Sequence, residues 1–184
     1  MKWASRRQFA FFLATLGALA AILGFAFALF RASDCVTAVD EITVRGNSMG
    51  QSLPEGKVIS VLKGYYLCHS PERGDMAVFS NPNAAQQLIV KRIVGIEGDE
   101  VYAQSRGRAV LIYLNDQVLR TQSQRPYQLT LSAGKMLRES LLPTRGRIPP
   151  GYVLVMGEKV RGSFDSAAFG PISINLLRGK VRFN

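Results

Sequence analysis

Cysteine, histidine and tryptophan are scarce in this 184-residue chain, which has two, one and one of them. The two cysteines, Cys35 and Cys68, form no Cys-x-x-Cys pair, and no His/Cys cluster exists to hold a metal. In an oxidising compartment they either pair or stand as spectators. The lone histidine, His69, follows Cys68 in a Ser-Pro loop context, with no aspartate evidently placed to orient it. Serine–histidine chemistry is therefore poorly supplied. Acidic residues are also short, at 13 against 23 Lys and Arg, a formal charge of +10. Four of those basic residues and one acid lie before residue 35, which leaves the remainder at +7. The basic residues are scattered and no groove-reading motif appears, so no nucleic-acid partner is expected. A basic domain beside anionic lipid gains attraction to that surface. Internal repeats and low-complexity tracts are absent.

One long apolar run is present. Residues 9–30, "FAFFLATLGALAAILGFAFALF", carry no charge over 22 positions. As a helix rising about 1.5 Å per residue, the run reaches about 33 Å, enough for a bilayer core. It is longer than the usual apolar region of a secretory signal, yet Ala26-Phe27-Ala28 also resembles a small-x-small cleavage site. The retained anchor is the expectation and the cleaved signal its alternative. Lys2, Arg6 and Arg7 precede the run, whereas Arg31 is soon offset by Asp34. That asymmetry puts residues 1–8 in the cytoplasm and residues 31–184 outside, a single-pass arrangement.

Beyond the run, helical periodicity nearly vanishes. Short β-rich stretches, "KVISVL", "DMAVFS", "LIVKRIVGI", "EVYA", "AVLIYL", "YVLVMG" and "KVRF", are separated by "SPERGD", "NPN", "EGD", "LND" and "IPPG". This spacing predicts a mainly β fold, a sheet or barrel, with the turn residues at its hairpins. Residues 120–147 are less regular, with a short helix near "AGKMLRESLL", and are expected to leave the main sheet.

The stretch "RGNSMGQSLPEG" places Ser48 among turn formers just beyond the apolar run. Ser48 is either a turn residue or a nucleophile, and a nucleophilic serine needs a base. A lysine serves if burial lowers its pKa from ~10.4 toward ~7–8. Lys91 lies between apolar residues in "LIVKRIVGIEGD", as a buried strand would hold it. From the pattern alone, a lysine pointing outward from an amphipathic strand is the plainer account.

The order of "GNSM" (46–49), "RGDMAVF" (73–79), "VKRIVGIEGDEV" (90–101), "NDQVL" (115–119) and "GYVLVMGEKVRGSFDSAAFGPI" (151–172) resembles the motif series of bacterial type I signal peptidases. The resemblance implies a signal-peptidase-like coiled β-sheet domain behind a membrane anchor, needing no metal or organic cofactor. It implies Ser48 as nucleophile, Lys91 as general base, Ser163 as a hydrogen-bond partner of the lysine, and Asp165 as structural support. Met49 would line the substrate cleft, and Gly95, Gly98 and Asp99 would shape a tight return after the lysine strand. Implied substrates are exported precursors with small residues at −1 and −3.

Departures from that pattern are equally specific. Gln51 and Ser52 stand where Pro-Thr is usual, Gly157-Glu158-Lys159 replaces Gly-Asp-Asn, and Ala167 replaces an arginine that pairs with the aspartate. Asp165 is therefore expected to find another cation, Arg161 or Arg92. Gly46 lacks the hydroxyl that helps some members bind an oxyanion, leaving the backbone N–H of Ser48. The chain is also similar to maturation peptidases of conjugative-transfer systems, which process pilin or other transfer components. The competing reading is a degenerate relative acting as an assembly or binding factor.

Overall fold

The computed structural model describes residues 17–24, 35–107 and 109–183. The expected anchor lies mostly outside that set. Residues 17–24, α1, are helical and exposed, and no described helix is long and apolar enough to cross a membrane.

Two sheets carry the fold. The larger has seven strands in the order β1 (Ala38–Thr43), β2 (Val58–Lys63), β11 (Leu177–Arg182), β3 (Met76–Asn81), β4 (Ala84–Gly95), β9 (Tyr152–Met156) and β10 (Ile172–Ser173). The smaller joins β5 (Val101–Arg106), β6 (Ala109–Leu114) and β7 (Gln117–Val118), with β8 (Gln128–Leu129) also on β6. Among the described residues all strand pairs are antiparallel; β1–β2, β3–β4, β5–β6 and β6–β7 follow one another in sequence, whereas β11 inserts between β2 and β3 and β9 joins β4 from far along the chain. The mainly β expectation holds.

Helix α2 (Leu131–Leu141) falls where "AGKMLRESLL" placed it. The Thr130 hydroxyl caps it by accepting from the Ala133 N–H. Its Leu137 and Leu141 pack with Ile112, Tyr127, Ile148, Leu154 and Met156, the core between the small sheet and β9. Gly134 is required there, because a Cβ would run into the Val110 side chain. A second core joins Val44, Met49, Leu53, Ile59, Val61, Met76, Val78 and Val181, beneath the loop that holds Ser48.

Cys35 and Cys68 are joined by a disulfide, with Cα atoms 5.6 Å apart. The bridge ties the lead into β1 to the short 3-10 turn Tyr65–Leu67.

Strand β4 changes character along its length. Among the described residues, Ala84 and Leu88–Lys91 pair with β3 alone, Arg92 pairs with both β3 and β9, and Ile93 and Gly95 pair with β9. Exposure falls accordingly, from open at Ala84 to buried at Gly95. Lys91 sits at that transition. β1 is one of the sheet's two edge strands, and among the described residues neither its outer side nor the far side of residues 84–90 pairs with another strand.

Candidate active site

The loop from Arg45 to Lys57 is pinned at both ends. Val44 N–H donates to the Lys57 carbonyl and Gly56 N–H to that of Val44. Met49 and Leu53 anchor it in the core, at 2% and 0% exposed. Each such burial contributes about 1.5–3 kcal/mol. Although Gln51 replaces a rigid proline, the turn still closes through Gly50 N–H to Asn47 O and Ser52 N–H to Met49 O. The glycine at 50 is needed because its φ is +52°, a left-handed conformation costly for other residues. Ser48 is half-buried on this turn.

Lys91 reaches it from β4. Its Nζ lies 2.6 Å from Ser48 Oγ, across 43 positions of sequence. The lysine is 3% exposed, so the outward-pointing account suggested by the pattern fails. Burial lowers its pKa to about 8, against which the Asp165 carboxylate pulls upward. A neutral amine beside a hydroxyl can take its proton, and this amine is neutral within reach of ordinary pH.

Both groups open onto one cleft of about 680 Å³. It lies between the free edges of β1 and β4, with Ile42, Val44, Met49, Ile59 and Val78 among its apolar walls. Met49 lines this cleft and at the same time belongs to the core.

Asp165 is 1% exposed, and its partners correct the expectation of a cation. Oδ2 accepts from Gly157 N–H at 2.9 Å and Oδ1 from Ala167 N–H at 3.0 Å, capping the short helix α3 (Ser166–Phe169). Arg92 is spent on Glu158 and Arg161 on Gln128. Backbone donors replace the guanidinium, Ala167 N–H from the α3 cap and Gly157 N–H from just past the end of β9. Burial raises the Asp165 pKa, while Gly157 N–H, the Ser163 hydroxyl, Ala167 N–H and Lys91 draw it back.

Ser163 also departs from expectation. Its hydroxyl is sealed from solvent and finds no hydrogen-bond partner among the described residues, Lys91 included, although it lies near enough to Asp165 to favour that carboxylate's charge. It is wedged over Gly157, where a Cβ would collide with Ser163 Oγ and stand 2.8 Å from the Ser48 carbonyl oxygen.

Three features escaped the sequence. Glu158, 7% exposed, takes the Arg92 guanidinium on one oxygen and the Gln122 N–H on the other. Its own N–H, at 2.8 Å, and that of Lys159, at 3.3 Å, donate to the Ser48 carbonyl. Gly157 is a forced close approach, with its carbonyl taken by the Tyr127 hydroxyl at 2.7 Å. Sequence signals for these were slight, since Arg92 and Glu158 are 66 residues apart. Among the described residues, no group of His, Cys, Asp and Glu side chains is placed to hold a metal.

A family profile described as signal peptidase, peptidase S26, matches residues 12–184. The chain belongs to that family. Signal peptidase I of Bacillus caldolyticus is 32% identical over 143 residues, covering 76% of this chain and 75% of that one. Signal peptidase IB of Staphylococcus aureus (strain COL) is 30% identical over 149 residues, covering 79% and 76%. The mitochondrial inner membrane protease subunit 2 of Danio rerio is 29% identical over 155 residues, covering 79% and 66%. Family membership makes this S26 peptidase a serine endopeptidase. It agrees with the order of motifs read from the sequence.

Proposed function

We propose that this S26 peptidase cleaves exported precursors with Ser48 as nucleophile and Lys91 as general base, supported by Ser163 and Asp165. The observation that carries the reading is the lysine amine, dry and 2.6 Å from a half-buried serine hydroxyl. The precursor lies extended in the cleft as an added strand between the free edges of β1 and β4. Its −1 and −3 side chains, small in the substrates we propose, face the apolar wall that includes Met49. Neutral Lys91 takes the Ser48 proton as Oγ attacks the scissile carbonyl. The backbone N–H of Ser48 is the donor expected at the oxyanion, an interaction worth about 2.7–4 kcal/mol. Lys91 then returns the proton to the leaving amine, and water activated by the same amine hydrolyses the ester. Asp165 acts through charge on Lys91, and Ser163 fixes the ceiling over Gly157.

The cellular setting is part of the same proposal. The uncharged run at residues 9–30 and the basic residues before it support a single-pass anchor in the inner membrane, with the catalytic domain outside. Lipid then confines enzyme and precursor to one surface. A narrower role, maturation of conjugative pilus or transfer components, draws on the departures at Gln51, Lys159 and Ala167. Secretion-pilus genes beside the coding sequence would favour it, and their absence would favour general service.

The test is cleavage of a precursor bearing an Ala-x-Ala site by the full chain in detergent. Ser48→Ala and Lys91→Ala should each abolish product while circular dichroism stays native. Undiminished cleavage by either variant removes the dyad. Failure of the wild type on every precursor favours the assembly-factor reading instead.

A further inference from the structure

Between Ser163 and Asp165, two residues whose polar atoms face inward, stands a phenylalanine that does not. Phe164 is 46% exposed, yet it borders the same cleft as Ser48 and Lys91. Asp165 has extended backbone and a fully enclosed carboxylate, so the chain there turns its side chains alternately in and out. The ring is not loose. It meets Phe169 edge-on at 5.2 Å, and Phe169 meets the fully buried Phe79 at 6.4 Å, which connects the rim to the core. Phe164 shares the lining of this cleft with Ser48, Met49 and Lys91, so a peptide laid along the cleft passes within its reach. A braced, half-exposed aromatic beside reacting groups offers an apolar face that water covers poorly in the free enzyme.

The geometry points to Phe164 as a specificity-determining residue that packs against an apolar side chain of the precursor at −2 or +1. This inference rests on the peptidase reading above. In an extended peptide the −1 and −3 side chains share one face, while −2 and +1 share the other. With −1 and −3 against the apolar wall, the opposite face is turned to the rim, where Phe164 stands. The favoured residue there is leucine, phenylalanine or another large apolar side chain, and the gain should appear in binding.

The experiment uses the full chain in detergent and soluble peptides that keep Ala-x-Ala while −2 and +1 are set in turn to Leu, Phe or Ser. The wild type should favour the apolar residue at one of the two positions by about tenfold in KM, equivalent to about 1.4 kcal/mol. Phe164→Ala should erase that preference with kcat changed much less. Phe164→Leu should retain most of it, and Phe164→Trp, by filling the space, should shift the preference toward smaller residues. The inference is overturned if Phe164→Ala lowers all peptides by the same factor or lowers kcat without altering selectivity. It is also overturned if the variant is impaired only on bilayer-embedded precursors, which would make the ring a lipid contact. A wild type that cleaves none of the peptides sinks the peptidase reading itself, so the two failures are distinct.

Discussion

If Lys91 is the base, the pH dependence of cleavage must report its burial. A lysine at its ordinary value of 10.5 would be neutral in about 0.3% of molecules at pH 8. With the pKa lowered to about 8, roughly half are neutral there and about a tenth at pH 7. The perturbation is pH alone, and the assay is kcat/KM on a soluble peptide substrate between pH 6 and 10. Below pH 8 the rate should rise tenfold per unit, reach half its plateau near pH 8, and flatten by pH 9.5. Removing the Asp165 charge sharpens the test. That carboxylate raises the Lys91 pKa, so Asp165→Asn should move the half-plateau to lower pH while leaving one oxygen to accept a backbone N–H. A wild-type rate still climbing tenfold between pH 8.5 and 9.5 would mean an undepressed amine. A flat profile would mean that no such base titrates.

The same burial has a cost in stability, and Lys91→Met should expose it. A shift from 10.5 to about 8 corresponds to about 3 kcal/mol, so the inactive variant should melt several degrees above wild type at pH 7. The folded lysine holds its proton less tightly than the unfolded one, so wild-type stability should rise as pH climbs from 8 to 10.5, and the variant's advantage should fade over that window. Gly157→Ala forces a methyl into Ser163 and the Ser48 carbonyl, and should cost about 1–3 kcal/mol and at least tenfold in kcat, read by thermal melts and peptide cleavage. Cys35→Ser with Cys68→Ser opens a 33-residue loop, a loss of about 4 kcal/mol on the chain-entropy account; urea unfolding checks it, and an unchanged midpoint would refute it.

Strands were legible where apolar residues dominate, and β2, β3, β4, β5, β6, β9 and β11 fall on the stretches expected of them. β1 was not, because it is an exposed edge carrying Asp40 and Glu41, so its alternation is diluted by charge. β7, β8 and β10 are two-residue pairings fixed by tertiary contacts, too short for any pattern. At the site, motif order led to the expectation that Ser48 and Lys91 meet, as their side chains do, whereas periodicity pointed the lysine outward. Period-two reasoning sees Val90 and Ile93 on either side but not that β9 arrives to cover the strand from Arg92 onward. Asp165 was matched to distant cations when its nearest donors were two backbone N–H groups, one of them at the cap that "DSAAF" itself forms.

A buried lysine must face one particular side of its strand, and a one-residue slip would put Val90 or Arg92 in its place. The neighbouring arginine prevents that slip. Arg92 is held on one side by Glu158 and donates on another to the Gly74 carbonyl at 2.7 Å, so it cannot rotate into the Lys91 position without abandoning both. Glu158 in turn presents its backbone N–H to the Ser48 carbonyl. Glu158 therefore links the strand that carries Lys91 to the loop that carries Ser48. The replacement of the family's aspartate by glutamate at this point keeps the carboxylate and lengthens its reach, which is why the motif can depart there without separating the amine from the hydroxyl. Breaking such a buried pair leaves a lone charge behind, at about 3–5 kcal/mol, a penalty of the same order as the lysine's own burial. A slipped register would give up the Arg92 bonds to Glu158 and Gly74 as well, so the clamp opposes the slip that would release the dry amine.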